Sequence, residues 1–418
     1  MSEAFYYRAR FILIAAIALM IPLNFLTVTA LSGLLTLLFL AGLLVPAIKF
    51  RKKELAFGFL FIGFYLWQAL TLLYTEHRDE GLFNLQVKLS LFGFPLGFML
   101  GQPFSSGQVR TTMRLFIAGC ALAALICLGY ACYRFNLSGN PVELFYTSLS
   151  FYVHPGYMAM FTVMACVFVL YLHAGETRKY MRVLAFAFMV LFVFFLAMLQ
   201  SKAGIMAAVV CIPLVVLLLN WRTKKWKPAL LFLALAASVY WSTNRFIITN
   251  ANSRIYNATY NITHLEEVHE TAAGSETSEV RVQVWKTGIE LLQANWLTGV
   301  GLGDVKFVLK DKYREKEMTY AYEHGLNAHN QFLQSALAGG IVSLLLLILG
   351  FVLPGWRAMR QRQYLYLVFL GLAGFNFMVE SMFEVQAGTI FYGFFNAFFC
   401  FLAAGYENKT NESNKAAV

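Results

Sequence analysis

The chain has 418 residues, of which 59% are hydrophobic, 16% aromatic and only 13% charged, with a formal net charge of +11. Soluble domains carry about 25% charged residues, so this chain lacks the polar surface to meet water on every side, and its solvent is partly lipid. The positive charge lies mostly in short loops between apolar runs, which argues against nucleic acid as a partner and for a role in membrane orientation.

In chain order, runs apolar enough to cross a bilayer, which takes about 20 residues, fall at 11–29, 31–48, 55–74, 84–101, 112–132, 156–173, 182–199, 203–220, 228–242, 331–353, 363–380 and 386–405. The expected fold is an all-α polytopic membrane protein of about twelve transmembrane helices. The first run is followed too closely by the second for a cleaved leader to be expected. Loop charge sets the orientation. With the N-terminus cytoplasmic, the basic loops around Lys49–Lys53, Arg222–Lys227 and Arg357–Arg362 are cytoplasmic, whereas the short opposite connections hold Arg78, Arg134 and Lys202. The C-terminus is then cytoplasmic too. This divides the chain into helices one to nine (1–242), a large outer loop before the tenth span (243–328), helices ten to twelve (329–406) and a tail (407–418).

The outer loop mixes both charges and is too long to run unstructured in a compact protein. Within 279–296, Val280, Val284, Leu291 and Leu292 recur at helical spacing after Ser278, a suitable cap. A glycine-rich turn, Gly299–Gly303, then precedes a charged helical stretch from Asp304 to about Lys316. The expectation is a cap of short amphipathic helices lying on the bundle.

Polar groups within or beside apolar runs are costly and mark function. They are Lys88, His154, Lys202, Arg281, His324, His329, Asn330, Glu380 and Glu384. Each also has a structural reading. Lys88 can snorkel, His154 can start a helix before Pro155, and Lys202 can serve a turn. Arg281 can pair with Glu276 or Glu279, His324 can be a solvated loop residue, and Asn330 can cap a helix. The two glutamates can neutralise cations across the bundle. Clustered on the outer side, these Arg, Lys and His residues would suit a lipid-linked phosphate, Arg as a two-pronged donor and Lys as a point charge. His329 would serve as proton acceptor. The run Gly-Val-Gly-Leu-Gly lacks the strand and helix of a dinucleotide fold. Cys120, Cys127, Cys132, Cys166, Cys211 and Cys400 have no metal-ligand spacing and read as core residues. No metal site, nucleotide motif or cofactor is expected.

Arg281-x-x-x-Trp285, Leu297-Thr-Gly-Val-Gly-Leu-Gly303, Ala328-His-Asn-Gln-Phe-Leu-Gln334 and Gly339-Gly340 together resemble the signature region of the O-antigen ligase and polymerase superfamily. Tyr152-Val-His-Pro-Gly-Tyr157 and Glu380-Ser-Met-Phe-Glu-Val-Gln-Ala-Gly388 are similar to further parts of it. The resemblance implies a glycosyltransferase at the periplasmic face of a bacterial inner membrane. It would move a glycan from undecaprenyl diphosphate to an acceptor hydroxyl, lipid A–core in a ligase. It also implies that Arg281 and His329 are catalytic, that Arg281, Lys202 and Lys88 bind the donor diphosphate, and that His154, Tyr157, Asn330 and Glu384 support them. Ser201-Lys-Ala-Gly204 stands where many members have arginine, which keeps the charge and loses the fork. An O-antigen polymerase or protein O-oligosaccharyltransferase is the alternative within the superfamily, and a transporter or flippase of lipid-linked glycan the alternative outside it. The reading requires Arg281 and His329 to share one site.

Overall fold

The structure, a computed structural model, describes residues 1–174, 176–220, 278–403 and 406. Helices account for the architecture of these residues, and a single bridge between Phe50 and Leu100 stands in for any sheet. Helix α1 (Glu3–Met20) starts on the Ser2 side chain, and α2 (Phe25–Leu43) starts on Asn24, whose side chain accepts from Thr27 N. The first turn therefore falls at Pro22–Asn24, inside the span expected at 11–29. Hydropathy misses it because Ile21 before the turn and Leu23 within it are as apolar as the helices. Next come α3 (Leu55–Leu70), α4 (Arg78–Lys88), α5 (Ser90–Phe98) and α6 (Ser106–Ser138), the last with a Ser105/Gln108 capping box. The span expected at 84–101 is thus divided at Leu89 between α4 and α5. A short α7 (Tyr146–Leu149) leads to α8 (Pro155–His173), α9 (Lys179–Leu199) and α10 (Lys202–Asn220).

Beyond the undescribed stretch lie α11 (Ser278–Ala294), α12 (Val305–Glu315) and α13 (Thr319–His324). The long α14 (Gln331–Arg360), α15 (Tyr364–Val379) and α16 (Gln386–Ala397) follow, and α16 runs on into a π-helical turn over Phe398–Leu402. Among the described residues six helical segments are long and apolar enough to cross a membrane, and three shorter apolar ones accompany them. The multi-pass helical class is as expected, while the number twelve is not established. The ninth expected span, 228–242, and the tail, 407–418, lie outside the described residues.

Helices α8 and α16 form the centre. Every side chain from Tyr157 to Val169 and from Ala387 to Ala397 is buried, as expected of helices apolar all round. Phe116, Phe168, Phe369, Phe391 and Phe395 interlock their rings between them. The outward faces carry residues such as Leu34, Leu37 and Leu40, a surface suited to lipid. Three arginines gather at one end of the bundle. Arg10 donates to the carbonyls of Gln102 (3.0 Å) and Phe98 (3.4 Å), Arg51 to Phe98 O (3.0 Å), and Arg357 grips Glu54 with both prongs. The opposite end is tied by Tyr152 Oη to Pro22 O (3.1 Å) and by Gln386 Nε2 to Thr29 Oγ1 (2.8 Å).

At that opposite end α11, α12 and α13 share a small core of Val284, Leu291, Val305, Leu309 and Tyr313, closed by Leu85 of α4. The amphipathic cap expected over 279–316 is therefore present, with Val284 and Leu291 buried and Val280 and Leu292 partly so. Asp304 latches it to the α3–α4 turn, accepting from Glu76 N (2.9 Å), His77 N (2.9 Å) and the His77 ring (2.8 Å). Burial alone would raise the Asp304 carboxyl, but the His77 and Glu76 amides and the His77 ring outweigh it and hold the group below its ordinary value.

Helix α14 is two helices, broken by non-helical Gly339 (φ −138°) and Gly340 (φ +65°, ψ −159°). The loop 297–303 fills the break. Val300 N donates to Leu337 O (2.8 Å), Gly301 N to Ala338 O (3.2 Å) and Ile341 N to Trp296 O (2.8 Å). Trp67 Nε1 covers Gly339 O at 2.7 Å. On its other side the loop spends Leu302 N on Thr71 Oγ1 (3.0 Å) and Gly303 N on Thr75 Oγ1 (3.2 Å). A glycine run with its amides committed in this way is a structural plug, not a phosphate cradle.

Two outcomes follow. Gly340 occupies backbone space open almost only to glycine, and a Cβ there would lie 2.1 Å from Leu297 O. Gly340→Ala should therefore cost at least about 2 kcal/mol, read as a lowered Tm in detergent and a loosened cap in limited proteolysis. Because the Asp304 carboxyl titrates lower in the fold than in the unfolded chain, its latch contributes above the ordinary carboxyl range and is lost as pH falls through the lowered value. Asp304→Asn should lower Tm at neutral pH and flatten the acid limb of the Tm–pH curve.

Candidate functional site

Three segments meet under the cap at the end opposite Arg10, Arg51 and Arg357: the start of α8, the start of α14, and the turn 380–386 between α15 and α16. Buried Gln331 joins two of them, its Oε1 accepting from Phe383 N (2.6 Å) while its Nε2 donates to Ser335 Oγ (2.9 Å). Asn330 adds two stitches, N–H to Ser381 Oγ (3.2 Å) and Nδ2 to Met378 O (3.4 Å), and caps α14 by accepting from Leu333 N (3.0 Å). Asn330 is thus the helix cap that its sequence position also allowed.

His329 sits one residue before that cap with φ +42°. A left-handed non-glycine residue costs of order 1–3 kcal/mol and persists where the surroundings impose it, often at functional sites. Its side chain is nearly buried, with Nδ1 3.5 Å from Glu380 Oε2. Arg281 reaches the same segment from α11, Nη1 donating to Val379 O at 3.1 Å. The guanidinium and the imidazole, contributed by residues far apart in sequence, are therefore anchored on consecutive residues, 379 and 380.

Lys88 is buried at the α4–α5 join, and its Nζ lies 2.8 Å from Glu384 Oε1. The ammonium is neutralised by Glu384 and tied to the turn 380–386. Tyr157 points into the same region from α8. Its ring packs against Gly388, where a Cβ would lie 2.8 Å from Cε1, and it stands within the field of Glu380 and Glu384. The buried Tyr157 hydroxyl has no hydrogen bond among the described residues. His154 caps α8 through Nδ1, which accepts from Gly156 N (3.2 Å), and its ring centroid is 6.2 Å from that of Tyr157. Lys202 opens α10 on the exposed side of a turn in which Ser201 Oγ accepts from Gly204 N (3.1 Å). Gly204 presses on Ala159, which holds this turn beside the start of α8.

Of the expected residues, the contacts gather Arg281, His329, Asn330 and Glu380 directly, with Lys88, Glu384 and Tyr157 at the same turn. His154 and Lys202 lie alongside. His324 is not brought in: it ends α13, bonded to Tyr320 O and stacked on the Tyr320 ring. Gln331 and Ser381 went unrecognised in the sequence, although Asn330-Gln331 at the mouth of an apolar run was a usable signal.

These features define a multi-pass helical membrane protein with a cationic, imidazole and carboxylate cluster at one end of its bundle, beneath a helical cap. Residues 187–348 match the family model described as O-Antigen ligase. That stretch holds Lys202, Arg281, His329 and the interlocked glycines, so the resemblance seen in the sequence is met over this part of the chain. A comparison with curated proteins gives no match.

Removing one partner of a buried ion pair costs about 3–5 kcal/mol, whereas removing both is often nearly neutral. Lys88→Met should therefore lower Tm in detergent far more than Lys88→Met combined with Glu384→Gln. Equal losses in the two would show the pair to be unimportant.

Proposed function

We propose that this protein is an O-antigen ligase-like glycosyltransferase. It moves a glycan from undecaprenyl diphosphate to an acceptor hydroxyl, that of lipid A–core, at the periplasmic face of a bacterial inner membrane, with both termini cytoplasmic. The observation that carries the reading is the anchoring of Arg281 and His329 on residues 379 and 380, within an end of the bundle whose family match is to O-antigen ligase.

In the transfer, the acceptor oxygen bonds to the anomeric carbon as the bond from that carbon to the phosphate oxygen breaks. The hydroxyl proton passes to neutral His329, and the electron pair leaves with the diphosphate. The leaving group is already activated, so the protein's task is to stabilise its growing negative charge and hold the acceptor. Arg281 and Lys202 do the first, with more effect in a water-poor site than in bulk solvent. Glu380 Oε2 faces Nδ1 of the His329 ring and orients the imidazole for the acceptor. Lys88 acts through Glu384 by holding the turn, rather than by touching phosphate. The same cationic end would serve a polymerase or a protein O-oligosaccharyltransferase, and the acceptor distinguishes them.

The test is purified protein given polyprenyl-diphosphate glycan and lipid A–core with EDTA present, read on gels for the joined product. Lengthening of carrier-linked chains alone would assign a polymerase, and movement of donor across vesicles without joining would assign a transporter. His329→Asn, which keeps a residue tolerant of left-handed backbone, and Arg281→Ala should each lower kcat about a hundredfold or more at unchanged Tm. Lys202→Arg should retain activity and Lys202→Ala should lose it. Full activity in both the His329 and Arg281 variants would remove the site.

A further inference from the structure

A large groove lies far from this site, on the lipid-facing side of the bundle end that holds Arg51 and Arg357, between α3 and α14. It encloses about 730 Å³ and is lined by Phe57, Phe59, Leu60, Leu353, Trp356 and Arg360, among others. Its lower walls are apolar. At its mouth Arg357 is neutralised by Glu54, at 2.9 Å on one prong, and its guanidinium lies 4.9 Å from the Phe57 ring centroid. Arg360 is exposed, stacks 4.8 Å from the Trp356 centroid, and faces no carboxylate among the described residues. Arg51, in the field of Glu54 and Arg357, adds a third guanidinium. Arg51 and Arg357 thus share the Glu54 carboxylate, and Arg360 stands at the same end with no carboxylate of its own among the described residues, where the apolar stretch of α14 ends in Pro354-Gly-Trp-Arg, the pattern of a membrane–water boundary.

We propose that this groove is a site for one anionic phospholipid of the adjoining leaflet. Its phosphate sits against Arg360 over Trp356, and an acyl chain lies along Phe57, Leu60 and Leu353. Excess positive charge above an apolar trench fits an amphiphile with an anionic head. A free hydrated anion would meet the guanidinium but leave the trench unused, and a zwitterionic lipid would bring a cation to a surface already positive.

Trp356 supplies the probe. The chain has 7 tryptophans, so its signal is the difference between the wild-type protein and Trp356→Phe. In phosphatidylcholine vesicles, phosphatidylglycerol with brominated acyl chains should quench Trp356 at a mole fraction about fivefold lower than brominated phosphatidylcholine does. Arg360→Gln should erase this preference, Arg360→Lys should keep most of it, and excess inorganic phosphate should leave it unchanged. Equal quenching by the two lipids, a preference that survives Arg360→Gln, or its abolition by inorganic phosphate would each overturn the proposal. Size-exclusion profiles matching wild type establish that the Arg360 variants are folded.

Discussion

The seating of loop 297–303 in the break of α14 governs the geometry of the candidate site. Arg281 belongs to α11, which ends at Ala294 just before the loop, and His329 precedes the half of α14 that ends at the break. Nothing local relates these two residues. The amides of Val300 and Gly301, spent on Leu337 O and Ala338 O, fix the end of one helix against the other. The break also frees carbonyls that an apolar environment leaves costly if unmatched, and the loop and Trp67 satisfy them. One interlock therefore closes the backbone hydrogen-bond account of a broken helix and sets where a guanidinium and an imidazole can meet.

The turn 380–386 completes the arrangement from the other side. Phe383 N and Ser381 Oγ are held by Gln331 and Asn330, and Glu384 by Lys88. Glu380 is thus positioned by neighbours on both sides as it faces His329. Buried polar networks are costly unless satisfied and rigid when they are. Rigid placement is what the proposed departure of a diphosphate would demand, because dipoles and charges fixed beforehand need no reorganisation as charge develops.

Much of this was legible in the sequence, and the rest failed for physical reasons. Periodicity located the cap helices because Val284 and Leu291 face a water-exposed structure with one buried side, where a 3.6-residue stripe forms. It could not locate the turn at Pro22–Asn24 or the division at Leu89, since lipid and protein interior are equally apolar and a turn between them need not be polar. Arg281 and His329 stood out as polar groups against apolar surroundings. The pairing of Lys88 with Glu384 could not be read, because their separation along the chain says nothing of distance across the bundle. The glycine run carried a signal whose usual meaning is phosphate binding. Only the destinations of its amides show it to be a plug.

That plug also bears on the choice between moving a substrate and transforming one. In transporters, broken helices present freed amides and carbonyls to the cargo, and the break lies where two repeats rock against each other. In this protein the groups freed at Gly339–Gly340 are spent on the chain's own cap and on Trp67, and the cap is latched again through Asp304 to the α3–α4 turn. A cargo would have to displace several backbone hydrogen bonds to use the break, and rocking would tear the latch. A helix broken and then locked favours a site that holds still while a bond is exchanged, which supports the transferase reading.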